Sequence, residues 1–415
     1  MSDFTMKSKI FTVTADGVDQ DFEIAGFGFT PKAAIITACL ATADATPVTE
    51  AGYCIGFTDG TRQAVCGMLS EDDQNNTDAS RWNRNDAIID LHTVTSPNGS
   101  IGTLAFGSFS ADTITLSKTT NPTAAFKISV TLIGGDDVTS PRVESTSLGT
   151  GTAAVAIETS GDVPDVVFTA NSGHNVANAI AASGMLSFGC MITGATQRCT
   201  IIGDHEGQIK KSNASMYDNR ISGQNVADNT QWLGTGAFTG SGFSVQPNSS
   251  ASSDILHSLV FTVGGSPDLS LATITIPASG NINYETPAFD TSYAMVNLIT
   301  DVTAANTIGT ANGNRAFTIF SVDDENVAVT GFTLEDGTGN TACESFANDG
   351  AVTIYDTDNA TAIIESSAES VDSLGLNLTL TANELCIGWA FCIGEPDGGG
   401  GVSSTPNNLM LLGAG

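Results

Sequence analysis

Apolar residues recur along the chain in short β-branched runs that are separated by clusters of Gly, Asn, Asp and Ser. Several runs alternate apolar and polar residues, which is typical of a strand with one face buried and the other in solvent. No amphipathic pattern extends beyond about three helical turns. The sequence therefore predicts an all-β protein with antiparallel turns and no crossover helices.

One apolar strand pattern occurs three times, and each copy ends in glycine. It reads AFKISVTLIGG at 125–135, ILHSLVFTVGG at 255–265 and LCIGWAFCIG at 385–394. The glycines Gly134, Gly264 and Gly394 fall 130 residues apart in both intervals. Equal spacing of a matching strand indicates internal repetition, which decides the fold class of such a chain.

Three other patterns recur between these strands. An apolar strand follows a turn, with proline near its start in the first two copies, at 26–35, 161–170 and 288–300. A hairpin is predicted around the polar turns Asp59–Gly60, Thr193–Gly194 and Asn312–Gly313. An alternating, half-exposed strand opens each copy at 9–17, 153–161 and 271–280.

These patterns predict three tandem antiparallel β-sandwich domains that are jelly-roll-like. We refer to residues 1–137, 138–267 and 268–396 as repeats 1, 2 and 3. A repeat of about 130 residues is large enough to hold its own core. Residues 397–415 form a Gly-rich tether and an apolar C-terminal tail. The candidate assembly contacts of that tail, with this subunit or a neighbouring one, are Leu409, Met410, Leu411 and Leu412.

The charge narrows the range of partners and compartments. Forty-five acidic residues and 14 basic residues give a formal net charge of −31. Nucleic acid and anionic membranes are disfavoured, because phosphate binding requires basic clusters. A soluble particle surface, a medium rich in divalent cations or a basic partner fits this charge. The N-terminus lacks the apolar core of a signal peptide, so we expect folding in the cytoplasm with the eight cysteines as buried free thiols.

Motifs for catalysis are missing from the sequence. The four histidines lie far apart, and no nucleophile, phosphate-binding or zinc-binding motif occurs. We therefore expect no catalytic residues and no cofactor. Acidic clusters close equivalent strands, where they are interpreted as solvated strand-end charge or as Ca²⁺ ligands. These clusters are Ser70–Asp73, Asp204–Glu206 and Asp323–Glu325.

Tryptophan and arginine give the remaining candidates. Trp82 and Trp232 lie in polar stretches that predict surface loops, where an indole could contact a glycan. Trp389 lies in an apolar strand and is expected in the core. Arginines recur near each predicted hairpin turn, and we expect them to pair with the acidic clusters within or between repeats. They are Arg62, Arg198 and Arg315.

The motifs of repeat 1 resemble repeated β-sandwich domains of virion structural proteins from tailed bacteriophages and prophages. The resemblance is carried by Gly26–Ile36, Ile55–Ala64, Ser70–Asp72 and Phe126–Gly135. It implies a non-enzymatic fibre, spike or capsid-decorating subunit, found in the virion after assembly in the host cytoplasm. The implied partners are other virion proteins and further copies of this chain as a homo-oligomer. The alternative is a carbohydrate-binding adhesin or receptor-binding module that recognises a glycan receptor.

Overall fold

The regular structure of the chain consists of β-strands. The computed structural model describes residues 4–15, 21–71, 78–93, 96–159, 161–193, 196–205, 212–226, 229–249, 253–264, 268–285, 289–309, 314–323, 326–335, 343–355, 362–372, 375–382 and 384–396. The prediction of an all-β protein is confirmed for this part of the chain. No helix within it is long and apolar enough to cross a membrane.

Eleven strands are described in each repeat. Those of repeat 1 are β1 (Thr5–Val13), β2 (Phe22–Ile24), β3 (Pro31–Cys39), β4 (Val48–Thr49), β5 (Ala51–Thr58), β6 (Gln63–Ser70), β7 (Ala79–Arg84), β8 (Ile89–Thr93), β9 (Ser96–Phe109), β10 (Ile114–Thr120) and β11 (Phe126–Gly134). Those of repeat 2 are β12 (Val138–Ser147), β13 (Val155–Glu158), β14 (Val166–Asn171), β15 (Ala179–Ala182), β16 (Gly184–Ile192), β17 (Thr196–Asp204), β18 (Ser212–Tyr217), β19 (Ser222–Val226), β20 (Asn229–Thr239), β21 (Gly242–Pro247) and β22 (Ile255–Val263). Those of repeat 3 are β23 (Asp268–Ile276), β24 (Ile282–Glu285), β25 (Phe289–Thr300), β26 (Thr307–Ile308), β27 (Asn314–Asp323), β28 (Val327–Glu335), β29 (Cys343–Asp349), β30 (Thr353–Tyr355), β31 (Ala362–Asp372), β32 (Gly375–Ala382) and β33 (Cys386–Pro396).

The same strand order occurs in each repeat. Repeat 1 contributes β1-β11-β3-β5-β6-β7 to a large sheet and forms a four-stranded sheet with the order β2-β10-β9-β8. Repeat 2 has β12-β22-β14-β16-β17-β18 and β13-β21-β20-β19 in the same places, and repeat 3 has β23-β33-β25-β27-β28-β29 and β24-β32-β31-β30. The first and last strands of each repeat therefore pair with each other.

Each large sheet gains a seventh strand from a different repeat. β15 of repeat 2 pairs with β7 of repeat 1, and β26 of repeat 3 pairs with β18 of repeat 2. β4 of repeat 1 pairs with β29 of repeat 3. The donated strand is the fourth strand of each repeat, so the exchange closes as a ring and no repeat completes its large sheet alone.

Both faces of the large sheets are buried. Ile35 on β3 belongs to a core cluster with members from all three large sheets, which we call the shared core. Its neighbours Ala34 and Ile36 belong to a second cluster that includes the four-stranded sheet of repeat 1. A strand that is covered on both faces needs apolar residues at successive positions, which explains the run AAII in β3.

Strand pairing confirms two of the predicted hairpins and corrects other details. β5 pairs with β6, and β16 pairs with β17, as predicted. The hairpin predicted in repeat 3 is wrong, because β27 pairs with β28 and their turn follows Asp323. The predicted turn at Asn312–Gly313 lies outside the described residues. The opening strand predicted at 153–161 is also wrong, because β12 opens repeat 2 and β13 lies in its four-stranded sheet. Turn dipeptides and alternation indicate local conformation, but they do not say which strand a segment pairs with.

Candidate functional site at the interfaces between the repeats

A backbone contact that occurs three times holds the start of each donated strand. In each case a residue that precedes the strand has a left-handed backbone and donates its N–H to the accepting sheet. The contacts run from Asn178 to the Asn83 carbonyl at 2.9 Å, from Asn306 to the Met216 carbonyl at 2.7 Å and from Ala45 to the Ala347 carbonyl at 2.9 Å. Asparagine tolerates the left-handed region better than most residues, which suits it to two of these three positions.

A second backbone contact holds the other end of each donated strand. Ser183 donates its N–H to the Ala79 carbonyl at 2.8 Å, Gly309 donates to Ala214 at 2.8 Å and Glu50 donates to Cys343 at 3.0 Å. We call residues 45–50, 178–183 and 306–309 the exchanged segments. The two contacts recur at all three interfaces, with donors five residues apart in repeats 1 and 2 and three residues apart in repeat 3.

Buried hydroxyl groups join repeats 1 and 3. The Tyr53 hydroxyl lies 2.9 Å from Thr330 Oγ1, and that atom lies 2.6 Å from Thr37 Oγ1. In the same interface Ser8 Oγ lies 3.0 Å from the Tyr293 hydroxyl. Burial raises the pKa of Tyr293 to about 12, so its phenol stays protonated at neutral pH. Each of these buried hydroxyls therefore has a partner, as polar groups removed from water require.

Repeats 2 and 3 meet at a buried arginine. Arg315 on β27 is 1% exposed, and its Nη1 donates to the carbonyl of Ser212 and to its hydroxyl, the latter at 2.9 Å. The Arg315 Nε lies 3.4 Å from Asp301 Oδ2, which is close to the exchanged segment of repeat 3. A guanidinium is stable in the interior only when it is paired and hydrogen-bonded. Arg315 therefore depends on the correct placement of both repeats.

Two polar contacts between repeats 1 and 2 involve the turn between β5 and β6. Asp59 Oδ2, in the turn between β5 and β6, accepts the Val143 N–H of β12 at 2.8 Å. Arg62 Nη1 lies 3.3 Å from Glu144 Oε1, but the arginine side chain is 46% exposed, so the pair adds little stability. Arg62 thus contacts a different acidic residue from those predicted. Arg198 donates to a threonine hydroxyl of repeat 3 at 3.0 Å, and this arginine too lies at an interface between repeats.

Aromatic rings pack across two interfaces in the shared core. The rings of Phe188 and Trp389 are 5.3 Å apart between repeats 2 and 3. The rings of Tyr53 and Phe332 are also 5.3 Å apart, between repeats 1 and 3. Such pairs add to the stabilisation from buried area alone. The predicted core position of Trp389 is confirmed, since it is 0% exposed.

A cavity of about 200 Å³ lies between repeat 1 and the exchanged segment of repeat 2. Trp82, Arg84 and His92 form part of its wall in repeat 1, and Ala179 and Ile180 on β15 form part of its wall in repeat 2. The Trp82 and His92 rings pack against each other with their centroids 4.4 Å apart. The cavity therefore combines aromatic, aliphatic and charged side chains from two repeats.

Asp90 organises the polar side of this cavity. Its Oδ2 lies 3.0 Å from His92 Nε2, and its Oδ1 accepts the Thr103 hydroxyl at 2.8 Å and the Ser100 hydroxyl at 3.1 Å. Burial disfavours the charged carboxyl, but the hydrogen bond and charge of His92 and the remaining partners outweigh it and lower the pKa of Asp90. Ser100 donates to the carboxylate and not to His92, so these residues do not form the nucleophile–base–orienter arrangement of a hydrolase.

The two tryptophans predicted in surface loops lie in the interior. Trp82 on β7 is 1% exposed and donates Nε1–H to the Asp90 carbonyl at 2.9 Å. Trp232 on β20 is 0% exposed and donates to Asp254 Oδ2 at 2.7 Å. The prediction of surface loops is therefore wrong, and neither ring presents a face on which a glycan could stack. The two differ in that Trp82 also forms part of the cavity wall.

The predicted acidic clusters contribute contacts between repeats. The Ser70 hydroxyl donates to the Asp204 carboxylate across the interface of repeats 1 and 2. Asp323 Oδ2 accepts the Ser8 N–H at 3.3 Å across the interface of repeats 1 and 3. Among the described residues, no group of three or more His, Cys, Asp and Glu side chains could hold a metal ion. A calcium site in these clusters stays a prediction.

Two further predictions concern the thiols and the tail. All eight cysteines are buried and free, as predicted. Leu409, Met410, Leu411 and Leu412 lie outside the described residues. Sequence reasoning missed the exchanged segments, because strands of two to four residues are too short to show a hydrophobic period.

No protein-family model matches the chain, and no curated protein or solved structure matches it either. The likeness to virion proteins therefore rests on the sequence motifs of the repeats. Function has to be argued from the interfaces and the cavity themselves.

Proposed function

We propose that the chain is a non-enzymatic structural subunit of a virus particle, of the fibre, spike or capsid-decorating kind. In this proposal each repeat is a two-sheet β-sandwich domain, and the three domains form one body with approximate threefold symmetry. The observation that carries the proposal is the closed exchange of strands among the repeats. A closed exchange supports a rigid body that presents related surfaces in three directions, which is a property of a scaffold.

The way in which the sheets end supports the same role. A free sheet edge exposes unpaired backbone groups and invites association with other chains. Here β4, β15 and β26 each cover one edge of a large sheet that belongs to another repeat. Together with a net charge of −31, this favours a particle component that stays soluble before assembly. The predicted homo-oligomer would have to form through other surfaces.

The partners in this proposal are other virion proteins. The strongly acidic chain favours a partner surface with basic residues, because opposite charges steer association. The apolar tail at 409–412 is the proposed attachment element. Burial of its four side chains could contribute roughly 1.5–3 kcal/mol each before the cost of ordering is subtracted.

Particle composition tests this proposal. Particles are purified by density gradient from the organism that encodes the chain, and peptides are quantified by mass spectrometry. We expect the chain to co-migrate with other virion proteins in a constant ratio. Its absence from particles that are otherwise complete would overturn the structural role.

Deleting residues 402–415 separates attachment from folding. We expect the truncated chain to keep its melting temperature and to lose occupancy on particles. A truncated chain that melts earlier but attaches normally would place the tail in the fold of the chain and contradict the attachment role.

A further inference from the structure

The buried carboxylate beside Trp82 belongs to repeat 1 and has no counterpart at the equivalent position of repeat 2. Ile88 in repeat 1 and Ile221 in repeat 2 occupy equivalent positions. The Ile88 carbonyl oxygen lies 1.8 Å from where a Cβ on Gly56 would be, and the Ile221 carbonyl oxygen lies 1.9 Å from where a Cβ on Gly189 would be. Two residues further on, repeat 1 has Asp90 and repeat 2 has Gly223. Repeat 2 folds without this carboxylate, so the shared architecture does not require it. A buried charge costs free energy, and one that the fold does not need indicates a function.

A buried ring nitrogen beside the cavity has no hydrogen-bond partner among the described residues. His92 is 5% exposed, and its Nδ1 has no hydrogen-bond partner among the described residues. A buried polar atom without a partner calls for an explanation, because nearly all such atoms are paired. Asn178, at the start of the exchanged segment of repeat 2, adds an amide group to the same wall.

The charges around the cavity decide which ligands it favours. Arg84 Nε and Nη2 lie 2.8 and 3.0 Å from the two carboxylate oxygens of Asp86, and its Nη1 lies 3.6 Å from Asp90 Oδ2. The single guanidinium is therefore offset by two carboxylates. Because Arg84 is already paired with carboxylates, it is poorly placed to bind an anionic ligand, whereas a neutral ligand with several hydroxyl groups can use the donors and the acceptors of the wall.

The size of the cavity sets a further limit. About 200 Å³ corresponds to roughly six or seven waters at about 30 Å³ each. That space suits one six-membered sugar ring. The apolar part of the wall, Ala179 and Ile180, can face the C–H groups of such a ring.

From these observations we infer that the cavity between β15 and repeat 1 binds a single neutral pyranose. This site would give the chain a receptor-binding activity in addition to its structural role. It replaces the predicted exposed tryptophan platform by a half-open cavity whose lining includes Trp82. The ligand is either the terminal residue of a glycan or a free sugar, since both present the same ring.

The test measures sugar binding by saturation-transfer NMR on the full chain. The probes are the methyl glycosides of D-glucose, D-galactose and D-mannose, and N-acetyl-D-glucosamine, each at millimolar concentration. Ala179→Leu fills the cavity from β15. Thr307→Leu is the matched control. Asn178 and Asn306 make the same backbone contact, and Ala179 and Thr307 are the residues that follow them in the exchanged segments of repeats 2 and 3.

We expect at least one probe to bind, A179L to weaken that binding by about tenfold or more, and T307L to leave it unchanged. If A179L lowers the melting temperature, Ala179→Val repeats the test with a smaller side chain. A trisaccharide that ends in the bound sugar distinguishes the two sources. It should bind at least as well as the free sugar if the ligand is the end of a glycan, and more weakly if the ligand is a free sugar. Failure of all four probes to bind, or full binding by the filled variants, would overturn the inference. The presence of the chain in particles does not depend on either outcome.

Discussion

Replacing Arg315 by methionine should destabilise all three repeats and not repeat 3 alone. The guanidinium is 1% exposed, and it joins β27 of repeat 3 to Ser212 on β18 of repeat 2. Methionine keeps much of the length of the side chain but removes the charge and the donors. The Ser212 carbonyl then loses a buried donor, and the Asp301 carboxylate loses the guanidinium nitrogen that lies 3.4 Å from it.

The size of this effect follows from what remains buried. Removing one partner of a buried ion pair typically costs about 3–5 kcal/mol, because the remaining charge is uncompensated. The Asp301 side chain is 20% exposed, so water offsets part of the loss. We therefore expect R315M to lower the free energy of unfolding by about 3 kcal/mol. Adding Asp301→Asn should restore at least about 1 kcal/mol, since the two groups interact directly.

Urea denaturation and hydrogen exchange measured by mass spectrometry test this expectation together. Arg62→Met removes the same charge from a half-exposed pair and should cost less than about 1 kcal/mol. Because the shared core has members from all three large sheets, protection in R315M should fall in peptides from every repeat. A cost below about 1 kcal/mol would refute the importance of the buried pair. A loss of protection confined to repeat 3 would refute the coupling of the repeats.

Three further predictions follow from buried groups. Gly56→Ala would place a Cβ 1.8 Å from the Ile88 carbonyl oxygen and should lower the free energy of unfolding by about 3 kcal/mol or more, measured by thermal or urea unfolding. The control Gly240→Ala should be tolerated, because no atom lies within 4 Å of its added Cβ. Equal effects of the two substitutions would contradict the close contact of the two sheets. Burial raises the pKa of the Cys54 thiol from 9.0 to about 12, so its thiolate fraction at pH 8 should fall about 10³-fold. The native protein should therefore resist a thiol reagent, and titration of the denatured protein should recover close to eight thiols. Recovery of two or fewer would contradict the prediction of free thiols. Burial also raises the pKa of Asp254 from 3.8 to about 6, although the Trp232 hydrogen bond and the charge of Arg81 oppose this shift. The folded state therefore binds the Asp254 proton more tightly than the unfolded state, and the contribution of Asp254 to stability declines as pH rises from about 4 to about 6. Asp254→Asn should therefore gain stability relative to the parent at pH 7.5, by at most about 3 kcal/mol, and less at pH 4.5; a gain independent of pH would contradict the raised pKa.

The sequence was sufficient for features that are encoded locally. β11, β22 and β33 are predictable because the same strand pattern ending in glycine recurs at a spacing of 130 residues. Pro31 was placed correctly as the opening residue of β3, since proline is tolerated at the start of a strand. Each of these features depends on a few neighbouring residues.

Features that depend on a distant partner were missed. β26 consists of Thr307 and Ile308 alone, and only its pairing with Ser215 and Met216 of another repeat makes it a strand. Nothing in two residues specifies such a partner. The cavity is a further consequence of strand exchange, because two repeats contribute to its wall, and it was missed for the same reason.

Trp82 shows why composition alone was misleading. Its flanking residues Arg81 and Asn83 are polar, which predicted a loop, but both lie on β7 opposite residues of the donated β15. Each donates a hydrogen bond to repeat 2: the Asn83 amide to the His174 carbonyl at 3.0 Å and Arg81 Nη1 to the Ser183 carbonyl at 3.3 Å. The indole itself needs a glycine beneath it, because a Cβ on Gly67 would lie 2.6 Å from the ring. A polar stretch can therefore be an interior strand when another repeat supplies its partners.

Joining the repeats in one chain changes what the three interfaces are able to do. In a trimer of identical subunits every interface has the same side chains. Here the interfaces differ, because repeats 2 and 3 meet at the buried Arg315 and repeats 1 and 3 meet at the buried Tyr53 hydroxyl. The covalent links keep the repeats at a high effective concentration, so no single interface must be strong enough to hold the assembly together. That tolerance allows one interface to keep a buried Asp–His pair beside a cavity, at some cost in stability. A cavity of this kind is thus most easily accommodated where the exchange of strands is already secured at the two other interfaces.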